Sequence, residues 1–253
     1  MAAAGDTTPP VFLVDTLPAG QNGVLTGEEA RHAATVRRMR TGERLTLSDG
    51  DGGLARCTIA GVRTGRDAEV EVTVDERWSV PEPPLRVTVA QALVKGDRGE
   101  LAVELATEAG ADAVVPWRAA RSVARWDDGP RGAKALGRWR TTVRSAAKQA
   151  RRSRVPEVTE PVETVELARL VSGAAATLVL DTAAEHGLAG ADLPDEGEIV
   201  LIVGPEGGIA PEEMRSLLDA GATAVRLGPE VLRTSTAAAV TLGALGALTG
   251  RWR

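Results

Sequence analysis

The chain has 253 residues, 43% of them hydrophobic and 26% charged, and a formal net charge of −5. This size allows one large or two smaller domains with a sizeable core, and the composition excludes disordered, collagen-like and disulfide-scaffold classes. Cys57 is the only cysteine, and His32 and His186 are the only histidines. An intrachain disulfide and a cysteine-built zinc site are therefore excluded, and no metal is expected. The segment Met1 to Pro10 lacks the basic start and apolar run of a signal peptide and reads as a loose terminus. No stretch approaches the roughly 20 apolar residues a bilayer span needs. A cytoplasmic protein with no membrane partner is expected.

The net charge conceals a segregation. Between Arg118 and Arg154 there are 12 lysines and arginines against only Asp127 and Asp128, a local +10 that leaves −15 on the rest of the chain. One basic island sits in an acidic protein.

From Val11 to Val74 the pattern is short and two-periodic. VFLVD, RLTLSDGDGGLARCTIAGV and AEVEVTV read as strands, with Asp-Gly-Asp-Gly-Gly as a hairpin turn. A helix, GEEARHAATVRRM, interrupts them, with Glu28 and Glu29 at its start and Arg37 and Arg38 at its end as the helix dipole favours. The expected organisation is a small β-rich domain over residues 1–76, a linker over 77–84 marked by Pro81, Pro83 and Pro84, and a second domain over 85–253.

After the linker, strand-like and helical runs alternate: LRVTVAQAL, DRGELAVELATEAG, ADAVVPW, the basic segment, ATLVL, EIVLIVG, PEEMRSLLDAG and AVRLG. Such alternation points to an α/β fold with a mostly parallel sheet covered by helices. Gly110 and Gly221 fall where helix C-caps belong. Thr234 to Gly250 carries no charge. It is too polar to span a bilayer, so it is expected to pack against the sheet or a second subunit.

Three constellations could carry chemistry. At 100° per residue, the basic segment forms a helix with Leu136, Trp139, Val143, Ala147 and Ala150 on one arc. Arg138, Arg140, Arg144, Lys148, Arg151 and Arg152 lie on the other. A solvated face would ordinarily mix signs, and no acid occurs from Gly129 to Pro156. Contact with a phosphate backbone is the favoured reading. The second is the buried strand Glu198 to Val203 running into Gly204-Pro205-Glu206-Gly207-Gly208. Glycines at the carboxyl end of a parallel strand let a ligand approach the backbone, although a plain turn is the alternative. No Walker lysine follows, and Glu206, Glu212 and Glu213 would repel a pyrophosphate, so a cationic or neutral ligand fits better. The third is Leu227-Gly228-Pro229-Glu230-Val231-Leu232-Arg233-Thr234-Ser235-Thr236. Thr234 or Ser235 could cap the following helix, and Arg233, beside an uncharged helix, needs either a structural carboxylate or a substrate oxygen.

GPEGG at 204–208, LGPEVLRTSTA at 227–237, KGDRGELAVELATEAGA at 95–111 with Arg121 and Ser122, and RRSRVPEV at 151–158 together resemble the bacterial 16S rRNA uridine-N3 methyltransferases of the SPOUT superfamily. The stretch with His32, Val36, Arg38 and Gly42 is similar to that family's PUA-like domain. The resemblance implies an N-terminal PUA-like barrel and a C-terminal SPOUT domain with a trefoil knot. It also implies S-adenosylmethionine as methyl donor, 16S rRNA of the small ribosomal subunit as substrate, and a homodimer with its site at the interface. The donor pocket carried over is Leu180, Val203, Gly204, Pro205, Gly207, Gly208, Leu227, Gly228, Leu232 and Thr234. Arg233 would face a uracil carbonyl, with Glu206 as a weaker candidate proton acceptor. Arg38, Arg121, Arg138, Arg144, Lys148, Arg151 and Arg152 would grip RNA. Many relatives have Glu where this chain has Ser235, which argues against a carboxylate base there. A non-catalytic ribosome-assembly factor with the same fold is the alternative. Trp117, Trp126 and Trp139 read as core or interface, Cys57 as a buried small residue, and His32 as packing or RNA contact.

Overall fold

The structure, a computed structural model, describes residues 8–252, so the expected loose terminus lies largely outside the described residues. The chain divides into two compact units, residues 1–82 with 148–155, and residues 83–147 with 156–253.

The first unit is built on a five-stranded sheet in the order β1-β3-β4-β5-β2. Its strands are β1 (Val11–Leu13), β2 (Asn22–Leu25), β3 (Arg44–Ser48), β4 (Gly53–Arg63) and β5 (Glu69–Ser79). Only the β1–β3 pair is parallel. The two-residue alternation sends Leu45 and Leu47 of β3, Cys57 and Ile59 of β4, and Val70 and Val72 of β5 into one core with Phe12 and Leu25. No hydrogen-bonded pair joins β1 to β2 in this order. Phe12 of β1 and Leu25 of β2, on the two edge strands, belong to the same buried cluster. The β3–β4 turn is closed by Asp49 Oδ1, which accepts the amides of Asp51 at 2.8 Å and Gly53 at 2.9 Å.

Helix α1 (Gly27–Arg31) runs on as a wide π turn, His32–Val36, burying Ala30, Ala33 and Ala34. It ends three residues before the expected Met39. Two other boundaries also differ. Strand β5 continues to Ser79 because its outer half stays paired with β4, and residues 148–155 belong with this unit rather than the second. The Gly52 amide donates to the Ser153 carbonyl at 2.9 Å and the Val155 amide to the Gly50 carbonyl at 2.8 Å, so the end of the basic segment completes the hairpin turn.

The second unit carries a six-stranded, wholly parallel sheet in the order β11-β9-β10-β6-β7-β8. In chain order these are β6 (Leu85–Ala92), β7 (Ala113–Trp117), β8 (Glu157–Val158), β9 (Ala176–Leu180), β10 (Gly197–Val203) and β11 (Thr223–Val225). The helices are α2 (Arg98–Glu108), α3 (Pro130–Gln149), α4 (Thr164–Gly173), α5 (Pro211–Asp219) and α6 (Thr234–Leu248). The central strand is apolar on both faces, as a covered parallel strand must be. Ile199, Leu201 and Val203 of β10 pack with Ala106 of α2 and Ala238, Leu242 and Leu245 of α6. Val200 and Ile202 pack with Leu167 and Val171 of α4 and Leu217 of α5. Gly110 and Gly221, with φ of 104° and 108°, stop α2 and α5 in the left-handed region, as expected of C-caps.

The uncharged C-terminal stretch forms α6, whose Ala238, Thr241, Leu242 and Leu245 are buried while Val240 and Leu248 stay exposed. Thr241 and Thr249 spend their hydroxyls on the carbonyls of Ala237 and Leu245, which makes burial of the helix tolerable. Arg251 then pins the chain end, pairing with Asp112 at 2.9 Å and donating to the Gly110 carbonyl at 2.7 Å. No helix among the described residues is long and apolar enough to cross a membrane.

Because Ile202 is fully buried between β10 and the α4–α5 layer, Ile202→Ala should destabilise the protein by about 2–5 kcal/mol. Urea unfolding with an unchanged m-value is the check.

Candidate active site

Strands β9, β10 and β11 are adjacent and parallel, so their carboxyl ends open onto the same edge, where α/β sheets bind ligands. A cavity of about 490 Å³ lies there. Leu180 enters from the end of β9, Val203, Gly204, Pro205 and Gly208 from the bend after β10, and Leu227, Gly228 and Leu232 from the bend after β11, with Thr234 at the start of α6. Two segments separated by some 20 residues in sequence thus enclose one space. Gly208 turns there with φ of 73°, a conformation a side chain would strain.

Gly207 does not line the cavity. Its carbonyl accepts Arg121 Nη1 at 3.3 Å, so Arg121 supports the outer side of the bend. Arg233 and Glu206 both line the cavity and are both exposed. Arg233 is the N-cap of α6, and its carbonyl receives the amides of Thr236 and Ala237. This corrects the expectation that Thr234 or Ser235 caps the helix: α6 has no side-chain cap, and Ser235 is buried. Among the described residues no carboxylate is paired with the Arg233 guanidinium.

The sequence reading missed several residues here. Arg98, at the first turn of α2, and Asp181, Arg226 and Glu230 also line the cavity. Arg98 lies within the KGDRGE motif, which was the available signal. Glu213 was read only as a charge at a helix start. It is buried, with Oε1 accepting the Ala120 amide at 2.9 Å and the Thr164 hydroxyl at 2.6 Å, and Oε2 accepting the Ala210 amide at 3.3 Å. Thr164 in turn accepts the Trp117 indole N–H at 3.1 Å. Trp117 and Trp139 are core residues, and Trp126 meets Trp139 edge-on at 4.9 Å.

Three of the six cations of α3 are paired with carboxylates. Arg138 binds Glu100 at 2.7 Å and Arg140 binds Glu160 at 2.9 Å. Lys148, 18% exposed, is held 2.5 Å from Glu29 and 2.9 Å from His32 Nδ1, above the Phe12 ring. Arg154 binds Asp51 at 2.5 Å, and Arg152 is already engaged. Lys148 is therefore a structural link, a correction to its place among the RNA-gripping residues. Its desolvated ion pair would have to break before it reached a phosphate. Arg144 on α3, with Arg38 and Arg151, is exposed.

Residues 81–246 match the RNA methyltransferase domain family, and residues 25–73 match the RNA methyltransferase PUA domain family. The chain belongs to this RNA methyltransferase family. It is 54% identical over 247 residues to the ribosomal RNA small subunit methyltransferase E of Mycobacterium bovis, spanning 96% of this chain and 93% of that protein. The protein of the same name from Bacillus subtilis is 31% identical, over 87% of this chain and 88% of its own length. Among solved structures, the ribosomal RNA small subunit methyltransferase E of Neisseria gonorrhoeae bound to S-adenosyl methionine superposes with a TM-score of 0.83 at 29% identity, covering 95% of this chain and 98% of that one. A methyltransferase from Legionella pneumophila in complex with bound cofactor SAM gives 0.84 at 30%, covering 96% and 99%. Among the described residues no cluster of three potential metal ligands occurs.

Burial, and then the Lys148 charge, lower the pKa of His32 below its ordinary value. The folded state therefore resists protonation more than the unfolded chain, and the resulting stability is present above the ordinary value of about 6.5 and lost as pH falls below it. His32→Gln should flatten the stability–pH curve between about pH 7 and 5, measured by denaturant midpoints.

Proposed function

We propose that this chain transfers a methyl group from S-adenosylmethionine to N3 of a uridine in 16S rRNA of the small ribosomal subunit. The observation that carries the reading is the convergence of nine expected donor-pocket residues, drawn from β9 and two distant bends, on one cavity. The names of the relatives and the donor bound in two similar structures support it.

The cavity suits this donor chemically. Gly204, Gly208 and Gly228 are among its lining residues, and with no side chain they leave backbone groups free to meet the polar edge of an adenine. Asp181, Glu206 and Glu230 line it together with Arg98, Arg226 and Arg233, a wall of both signs that suits a zwitterionic ligand carrying a cationic sulfonium or ammonium and a carboxylate. When bound there, S-adenosylmethionine supplies an electrophilic methyl group.

The remaining work belongs to the protein. Uridine N3 lies on the Watson–Crick edge, so the base must be unpaired or flipped out before it can react. Arg233 donates to a uracil carbonyl oxygen and stabilises the negative charge that develops as N3 loses its proton. Glu206, on the same wall, is the candidate acceptor for that proton, while the cavity aligns N3 with the methyl carbon. Exposed arginines hold the RNA backbone.

The same reading includes a trefoil knot in the second unit and a homodimer. For the knot, the supporting features are the return of the chain from edge strand β11 through residues 226–233 and the packing of α6 onto α2. For the dimer, it is the apolar surface left by Val240 and Leu248 of α6 with Leu101 of α2, 48%, 46% and 41% exposed.

Incubation of the purified protein with S-adenosylmethionine and small subunits lacking the modification should yield 3-methyluridine by nucleoside mass spectrometry. Its absence would remove the reading. Arg233→Ala should lower turnover by about 10²–10³-fold with donor affinity nearly unchanged. Val240→Asp should shift the sedimenting species from dimer to monomer.

A further inference from the structure

Three arginines line the cavity, Arg98, Arg226 and Arg233, and none of them is paired with a carboxylate among the described residues. Arg226 follows edge strand β11, where its backbone pairs with those of His186 and Leu188. Arg98 and Arg233 come instead from two helix starts: Arg98 is the first residue of α2, and Arg233 is the N-cap of α6. These helices pack together, with Ala106 of α2 in one buried cluster with Ala238, Leu242 and Leu245 of α6. Both arginines therefore reach the cavity from the same helical layer.

A helix start disfavours a cation, because the helix dipole already places positive charge there. The acid in the first turn of α2, Glu100, is spent on Arg138 of α3 at 2.7 Å. Gly99 is buried against Trp139 of α3, where a Cβ would come within 3.0 Å of the indole nitrogen. The first turn of α2 is thus fixed on α3, and Arg98 is held at the cavity by a rigid element. A charge kept against its local preference and without a carboxylate points to a ligand that supplies the partner.

Uracil has the matching chemistry. Its N3 lies between two carbonyl carbons, and when N3 loses its proton the negative charge spreads over both carbonyl oxygens. Arg233 serves only one of them. We infer that Arg98 donates to the other, so that Arg98 and Arg233 clasp the base from both sides of N3 and stabilise its anion. The inference rests on the uridine-N3 reading above. In the reaction the N3 proton passes to the acceptor, the N3 lone pair bonds the methyl carbon, and the electron pair of the broken carbon–sulfur bond stays on sulfur. Cytosine would set an amino group, itself a donor, against one of the two guanidiniums, so the clasp also selects the base.

The test compares wild type, Arg98→Ala and Arg98→Lys in two measurements. One is calorimetric affinity for S-adenosylmethionine alone; the other is the single-turnover rate of 3-methyluridine formation on unmodified small subunits from about pH 6 to 9. A nearby cation lowers the pKa of an acid by about 1–3 units. Arg98→Ala should therefore keep its donor affinity and be slowed about tenfold or more near neutral pH, with the deficit closing as pH rises and N3 ionises unaided. Arg98→Lys should recover part of the rate, because it keeps the charge without the planar fork. A fall in donor affinity with an unshifted pH profile would assign Arg98 to the donor's carboxylate and overturn the clasp. A rate lowered equally at every pH, as a structural role would give, or an unchanged rate would overturn it as well. A wild type that forms no 3-methyluridine would instead overturn the reading on which the clasp rests.

Discussion

The buried carboxylate of Glu213 holds the carboxyl edge of the second unit together. Its two oxygens accept the Ala120 amide, the Thr164 hydroxyl and the Ala210 amide, and so join the loop after β7, the start of α4 and the end of the glycine bend. A carboxylate taken out of water is costly unless its lone pairs are filled, and here three donors fill them. The buried Ala210 amide in turn gains a partner it would otherwise lack. With the loop after β7 fixed, Arg121 can rest on the Gly207 carbonyl, and the bend keeps the shape that leaves Gly204 and Gly208 facing the cavity.

Electrostatics divides the arginines into two kinds. Arg118, pinched between Asp128 at 2.6 Å and Glu163 at 3.4 Å, and Arg251, sharing Asp112 with the Val87 amide, are structural ties. The Asp128 hydrogen bond, outweighing the opposing effect of burial and helped by the charges of Asp128 and Glu163, raises the pKa of Arg118 above its ordinary value. Arg138 and Arg140 form exposed pairs, each worth no more than about 1 kcal/mol, which a phosphate could displace. Arg98, Arg226 and Arg233 stand at the cavity beside Asp181, Glu206 and Glu230. A wall with both signs suits a zwitterionic ligand and would suit a polyphosphate poorly.

Much of the second unit was legible in the chain. β10 could be read from Glu198 to Val203 because a strand covered on both faces is apolar throughout, and the glycines that end it are local backbone requirements. The first unit was legible where alternation is strict, as in β5, and less so where α1 widens into a π turn, since Ala33 and Ala34 fit either helical period. Periodicity assigned the basic residues to a face without saying what stands opposite, and Glu100, Glu160 and Glu29, far away in sequence, pair with Arg138, Arg140 and Lys148.

What the sequence determined by itself is therefore local: the alternating elements, the apolar faces, the two glycine-bearing bends and the motifs that carry the family resemblance. These follow from side-chain period and backbone freedom, which act over a few residues. Only the tertiary structure decided that Arg98 joins the cavity, that Glu213 is a buried brace, and that residues 148–155 complete the first unit. Each depends on contacts between segments tens of residues apart, and those are set by how strands order themselves in a sheet and by which buried polar groups must find partners.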